Sequence, residues 1–356
     1  MALDLPACPD LLQHLGLSGG RLVTGGQQIY PDYGPTVIAK LEALSGISRG
    51  DLSTCFFWND TVRSGSDRRI TTIVMPGAGG EQGFRVASSE KRNVETRFVP
   101  LDPAKVEKAF ETLRNHVTGD KILPAGTPKP KRASVLERLD ELQRSVMEAD
   151  PVTLAEFSCA MTSFLLQRNG LSQQSIMISS ALNAGVLTNQ VNEFLRAIDV
   201  VVRTLNEAVG ELRESGIDPI LNEVEDDYLP LFYSCDKDGV RLRLHSRSND
   251  GRRTALAECH CGAEYSFDLG MKGEETIGAL EETGRWSVDV CLPVFQNDLM
   301  SGVVAGSVSA DYGRVLTRIT RMALGKRPVP SLLPPVEGGG RQGTLLFRYL
   351  FEGVIE

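Results

Sequence analysis

The chain is poor in histidine and tryptophan, with four of the first and two of the second in 356 residues. With so few imidazoles, no Cys–His or Ser–His–Asp arrangement is legible, and nucleophilic hydrolase chemistry drops out early. Long apolar runs are missing as well, so no segment reads as membrane-spanning, and Met1-Ala2-Leu3-Asp4 opens no basic leader. Basic charge is scarce: 38 Lys and Arg stand against 46 Asp and Glu, a net charge of −8, which disfavours a broad DNA- or RNA-binding surface. The seven cysteines are odd in number and mostly scattered, which argues against a disulfide framework and for a cytoplasmic protein. No internal repeat is visible. What remains is 41% hydrophobic and 24% charged residues in a length that can hold a full α/β core plus an inserted module.

The chain is organised around residues 21–40. Leu22-Val23-Thr24 reads as a strand that breaks at Gly25-Gly26. Gln27, Gln28 and the turn Tyr30-Pro31-Asp32-Tyr33-Gly34-Pro35 follow, then a helical spacing of Val37, Ile38 and Leu41. A strand ending in glycines and re-entering as a helix is how doubly wound α/β proteins cradle phosphate or nucleotide. A plain glycine-rich connection is the competing reading. Further strands are expected at Cys55–Trp58, ending in Asn59-Asp60, at Ile70–Met75 and at Ser175–Ser179, with a polar surface excursion from Glu81 to Asp102. Capping-box patterns at Ser134/Glu137 and Thr153/Glu156 predict helix starts after the Pro/Lys-rich connector Leu123–Arg132. Leu187–Leu212 reads as one long helix or two, and Leu345–Ile355 as a last strand or helix. Leu229–Leu269 is β-rich, with alternation in Val240–Leu244 and turns at Asp238-Gly239 and Asn249-Asp250-Gly251. The domain reading is therefore a core over 1–215, a β-rich insertion over 216–283 and a return to the core over 284–356.

Several stretches together resemble the bacillithiol synthase family, the cysteine-adding enzymes of bacillithiol biosynthesis. Val23-Thr-Gly-Gly-Gln-Gln28, Tyr33-Gly-Pro35 and Lys40 are similar to that family's TGQQ…GP…K, and Cys55-Phe-Phe-Trp-Asn-Asp60 to its FWIA-EDHD strand end. Gly216-Ile217-Asp-Pro219, Leu231-Phe232 and Asp238-Gly239-Val-Arg241 resemble its GY…LF…G-R stretch. Asp289–Leu316, with Gln296-Asn297-Asp298, Gly306 and Tyr312, resembles its NV-L-RP…QD…GP-E-AY tract, and Arg327–Pro334 its proline-bearing segment. The order of all five is kept over roughly residues 15 to 335. The resemblance implies a Rossmann-like core of the class I aminoacyl-tRNA synthetase (HUP) type, a parallel sheet with helices on both faces. It also implies an ATP-dependent, Mg²⁺-using ligase that attaches cysteine or a similar amino acid through its carboxyl group to an amine. Departures stand out: the acidic EDHD survives only as Asn59-Asp60, Ser309 takes the place of the Glu, Leu292 that of the Arg, and the C-terminal coiled coil has no counterpart. An acceptor other than the family's fits better.

On this reading Gly25, Gly26, Gln27, Gln28, Gly34, Lys40, Gly306 and Tyr312 are candidates for holding the nucleotide, and Asp60, Gln296 and Asp298 candidates for catalysis. For each the bland alternative stands beside it: a solvated surface lysine for Lys40, a polar strand cap for Asp60, a core tyrosine for Tyr312. A second constellation pairs Cys235-Asp-Lys-Asp238-Gly239 with Cys259-His-Cys261-Gly262. Two cysteine-bearing turns, each beside a glycine and separated by a hairpin-like stretch, suggest a zinc ribbon, with Cys235, Cys259, Cys261 and His245 (or His260) as a Cys₃His set. A ribbon without metal and unrelated buried cysteines are the alternatives, while Cys55, Cys159 and Cys291 read as core packing. Partners are a small-molecule amino-acid donor and an amine acceptor, with no DNA and no membrane. A tRNA-dependent transferase is the alternative, for which Lys129, Lys131 and Arg132 form a small basic patch, as is a non-catalytic scaffold. Oligomeric state is left open.

Overall fold

The computed structural model describes residues 22–47, 52–77, 80–171, 174–218, 221–289, 300–332 and 343–354, with only the backbone described at 89 and 307–312. The first strand, β1 (Leu22–Gln28), turns through Tyr30–Gly34 into helix α1 (Pro35–Ile47) and then β2 (Ser53–Asn59). A hairpin, β3 (Thr72–Gly77) and β4 (Gly80–Arg85), leads to three helices, α2 (Pro103–Thr118), α3 (Lys129–Glu148) and α4 (Leu154–Arg168). After them come β5 (Ser175–Met177), α5 (Ile178–Asn183), α6 (Thr188–Arg196) and α7 (Ile198–Glu214). Four strands follow, β6 (Tyr228–Ser234), β7 (Arg241–Asn249), β8 (Arg252–Glu258) and β9 (Glu264–Met271), then the turn-like α8 (Gly278–Glu281) and β10 (Trp286–Val288). The chain closes with β11 (Met300–Val304), α9 (Ser307–Met322), β12 (Ser331–Leu332) and α10 (Leu345–Phe351).

Five strands form one parallel sheet in the order β12-β11-β1-β2-β5. Counted as they enter the sheet, that is 3-2-1-4-5 read from the β5 edge, the order of the Rossmann fold. The central strands are apolar on both faces, as a doubly covered sheet demands. Val23, Phe56 and Trp58 face a core closed by α1, α2, α3, α4 and α10. Leu22, Cys55, Phe57 and Ile176 face the opposite core, with α5, α6, α7 and α9. Each large side chain sealed this way contributes about 1.5–3 kcal/mol. The chain order reverses between β1 and β11, so the crevice beyond their carboxyl ends is the topological switch point.

The second sheet, β10-β6-β7-β8-β9, is antiparallel throughout. Trp286–Val288, assigned from sequence to the returning core, is instead an edge strand of this sheet. Three consecutive buried residues satisfy either sheet, and only pairing with Leu231–Tyr233 decides.

Other local expectations sort by the same logic. The Thr153/Glu156 capping box forms, with both reciprocal bonds in place. The one at Ser134/Glu137 does not, because α3 already starts at Lys129 with Pro130 in its first turn. Leu187–Leu212 divides into α6 and α7 at Ala197. Glu81–Asp102 is no surface excursion: β4 pairs with β3, and Val86, Val94, Glu95 and Thr96 are buried. Among the described residues, no helix is long and apolar enough to cross a membrane.

Candidate functional site

Two clusters stand out, one at the switch point and one on the second sheet. The first is built by α1. Its side chains Val37, Ile38, Leu41 and Leu44 are buried against the sheet, and this fixes the rotation of the helix. Lys40 is thereby turned inward, to 6% exposure. Its ammonium donates to the carbonyl of Gly26 at 3.2 Å and to Gln27 Oε1 at 3.4 Å. Gly306, the N-cap of α9, lies directly opposite: a Cβ there would stand 3.5 Å from Lys40 Cε and 3.7 Å from the Thr36 methyl. The structure thus gathers Gly26, Gln27, Lys40 and Gly306 at the carboxyl ends of β1 and β11, beside the N-termini of α1 and α9. No carboxylate among the described residues pairs with Lys40, and burial holds its ammonium below the ordinary lysine range. Such a cation is stabilised by an arriving anion, which two helix N-termini also favour. The surface-lysine alternative is ruled out by geometry.

The other residues of that set have different duties. Gly25 serves packing, since a Cβ would sit 3.0 Å from Leu44 and 3.2 Å from Phe56. Gln28 Oε1 accepts the Tyr30 hydroxyl at 2.7 Å. Gly34 offers its carbonyl to Val37 and Ile38 and so starts α1. Tyr312 lies on α9, and its side chain falls outside the described atoms, as Gln296 and Asp298 fall outside the described residues. Asp60 is 2% exposed at the end of β2, and Ser179 engages both carboxylate oxygens, through its backbone N–H at 2.9 Å and through its hydroxyl. Burial raises the Asp60 pKa, against the pull of Arg97 and Ser179. Through these two contacts Asp60 ties β2 to α5. Of the free thiols assigned to packing, Cys55 is fully buried and Cys159 is pushed up to about 11 by burial.

The second cluster lies where the β6–β7 and β8–β9 turns meet. Gly239 and Gly262 take positive φ, 77° and 81°, and let each turn fold back on its own cysteine: Gly239 N–H bonds Cys235 O and Gly262 N–H bonds Cys259 O. Four ligand atoms, from Cys235, Asp238, Cys259 and Cys261, lie within 4.8 Å of one another, a group that could hold a metal ion. The Cys235–Cys261 sulfur separation is 3.7 Å. Tetrahedral zinc with Zn–S bonds of about 2.3 Å requires an edge of about 3.8 Å. Cys259 Sγ lies 3.2 Å from Asp238 Oδ2, so the set closes at four ligands. Burial raises the Asp238 carboxyl, but the Val240 N–H, the two thiols and His260 outweigh it and bring it down to about 2. Burial likewise raises Cys235, and the Tyr265 hydroxyl together with the backbone N–H groups of Asp238 and Lys237 brings it below the usual thiol range.

His245 is not part of this group. It lies four residues beyond Arg241 on β7, about 14 Å along the strand, where its Nδ1 pairs with Asp227 at 3.1 Å. His260 contacts Asp238 from outside, at 3.4 Å, and is largely exposed. The fourth candidate ligand is Asp238, and its signal was in plain sight: Cys235-x-x-Asp238-Gly239 has the C-x₂-C-G spacing of a zinc knuckle, with Asp in the second position.

No protein-family model and no curated protein matches the chain.

Proposed function

We propose that the switch point binds the phosphates of an adenine nucleotide, and that the protein uses ATP to join an amino acid, cysteine or one like it, through its carboxyl group to an amine. The observation that carries this reading is Lys40, a buried ammonium with two neutral partners and no acid partner among the described residues, set between the end of β1 and the N-terminus of α9. The sheet order supports a core of the class I aminoacyl-tRNA synthetase type, in which that crevice is the nucleotide site. The similarity to bacillithiol synthases supplies the reaction class. Lys40, Gln27 and the Gly306 N-cap would hold phosphate oxygens, and bound Mg²⁺·ATP would supply the activated carboxyl. An amine nucleophile needs no strong base, so the burden on the protein is to stabilise phosphate charge and orient the two substrates. The Cys₃Asp group would hold zinc in a closed, structural role, since all four positions are filled by the chain.

The test is titration of the full chain with Mg²⁺·ATP and ADP, followed by thermal melting with each amino acid added singly. Saturable nucleotide binding lost in Lys40→Met, with a further shift for one amino acid, is the expected result. Wild-type protein that binds no adenine nucleotide defeats the reading. A non-catalytic scaffold is favoured by one observation, the engagement of both Asp60 oxygens, and turnover with any amine would end it. The tRNA-dependent alternative draws little from its basic patch. Lys131 donates to Val354 O at 2.9 Å, and Arg132 is spent on Val117, Thr118 and Asp120.

A further inference from the structure

Arg241 is held at one edge and on one face of its guanidinium. Its Nε donates to Glu95 Oε1 at 3.0 Å and to the Ser287 hydroxyl at 3.4 Å. Its guanidinium lies on the Phe232 ring, with Cζ 3.4 Å from the centroid, and its side chain is only 14% exposed. Glu95 is itself fully buried, and its other oxygen takes Arg97 Nε at 2.7 Å. A guanidinium held by one edge and one face has lost its rotational freedom, yet its terminal nitrogens Nη1 and Nη2 meet no acceptor among the described residues. The four terminal N–H donors meet solvent rather than a protein acceptor, and a fixed fork is the geometry that recognises an oxyanion bidentately.

Around the fork four guanidiniums, Arg241, Arg97, Arg63 and Arg243, face three carboxyls, Glu95, Asp60 and Asp289, of which burial pushes Asp60 toward its neutral form. Asp289 opposes the positive potential at Arg241, while Arg63 adds to it. Arg243, two residues along the same strand face, places its guanidinium 5.0 Å from the same Phe232 ring. Arg63 and Arg243 are exposed and form no ion pair with described residues. The fork also stands where the second sheet meets the loops beyond the carboxyl end of the parallel sheet. Thr96 N–H bonds Val62 O and Arg97 N–H bonds Asp60 O, placing Glu95 against the end of β2.

We propose that Arg241, with Arg243 and Arg63 at its rim, binds an oxyanion of a small-molecule substrate, a carboxylate or a phosphate, at a site separate from Lys40. The site does not depend on the nucleotide reading.

Isothermal titration of the full chain with inorganic phosphate and, separately, with malonate tests it, in wild type, Arg241→Lys, Arg243→Gln and Lys40→Met. Arg241→Lys keeps the charge and removes the fork. Saturable binding of one probe identifies the class of oxyanion. Affinity should fall about tenfold or more in Arg241→Lys and about threefold in Arg243→Gln, and by the same factors when Lys40→Met is also present to take the switch-point phosphate site out of the titration. If Arg241→Lys does not fold, the exposed variants Arg243→Gln and Arg63→Gln carry the comparison. Absence of binding in wild type, indifference to the arginine variants, or loss of binding in Lys40→Met alone would each overturn the proposal, the last by moving the anion to the switch point.

Discussion

Replacing Asp32 by Asn should change how stability depends on pH, and the size of the change follows from its surroundings. Asp32 sits in the turn between β1 and α1. Its Oδ1 accepts the N–H groups of Tyr33 at 2.8 Å and Leu346 at 2.9 Å, which pins α10 to the core, and Oδ2 is shielded from solvent. Burial pushes this carboxyl up from 3.8 to about 7, against the hydrogen bonds that lower it. The folded protein therefore holds this proton more tightly than the unfolded chain does. Below about pH 4 both states carry it and its contribution is fully present; as pH rises toward 7 only the folded state carries it, and stability falls. At 1.36 kcal/mol per unit, the loss is about 4 kcal/mol at most by pH 8. Asparagine keeps an oxygen for both N–H groups and has no proton to lose. The Asp32→Asn variant should be nearly as stable as wild type at pH 4 and clearly more stable at pH 8. Urea unfolding of both proteins at the two pH values gives the double difference, in which every other titrating group cancels. A ¹³C titration of the Asp32 carboxyl reads its pKa directly. A double difference under about 1 kcal/mol, with the carboxyl titrating near 4, would refute the burial argument.

Lys40→Met should raise the melting temperature of ligand-free protein, because it removes a buried cation with no acid partner among the described residues, while weakening nucleotide binding by about 1.5–3 kcal/mol; a variant that melts lower and binds as wild type does would contradict the assignment. Chelation of bound metal should lower the melting temperature by a few degrees, since a ligand at 100 times its Kd adds about 2.7 kcal/mol. Asp238→Cys, which restores a C-x₂-C turn, should tighten zinc binding in a competition with a coloured chelator, and His245→Ala should leave it unchanged. Thr153→Ala removes the capping box of α4 and should cost about 1 kcal/mol in urea unfolding. Gly25→Ala forces a methyl to 3.0 Å from Leu44 and should cost about 1–3 kcal/mol, visible as a lower unfolding midpoint.

Much of the scaffold could be read without coordinates, because local chemistry decides it. A strand that breaks at glycines and re-enters as an apolar-spaced helix gave β1 and α1, the Thr153/Glu156 pair gave the start of α4, and alternation with Asp-Gly turns gave the second sheet. The three clustered cysteines were legible for the same reason, since each turn carries its own glycine. Other features depend on which distant segments meet. Ser134 and Glu137 satisfy the capping pattern, yet Pro130 starts α3 a turn earlier. His245 belongs to the right strand but is carried out of reach by the rise of the chain, while Asp238 arrives because two hairpin turns abut. Whether Asp60 is free or engaged depends on Ser179, 119 residues away. Lys40 could be surface or interior by pattern alone, and the rotation of α1 on the sheet decided it. Arg241 becomes an open fork only when Glu95, 146 residues earlier in the chain, grips its Nε. Propensity and periodicity act over a few neighbours, so most elements and the residue types at their ends follow from local pattern. Burial and electrostatic partnership are properties of surfaces brought together from remote parts of the chain, so which of those residues end up buried or paired follows from packing.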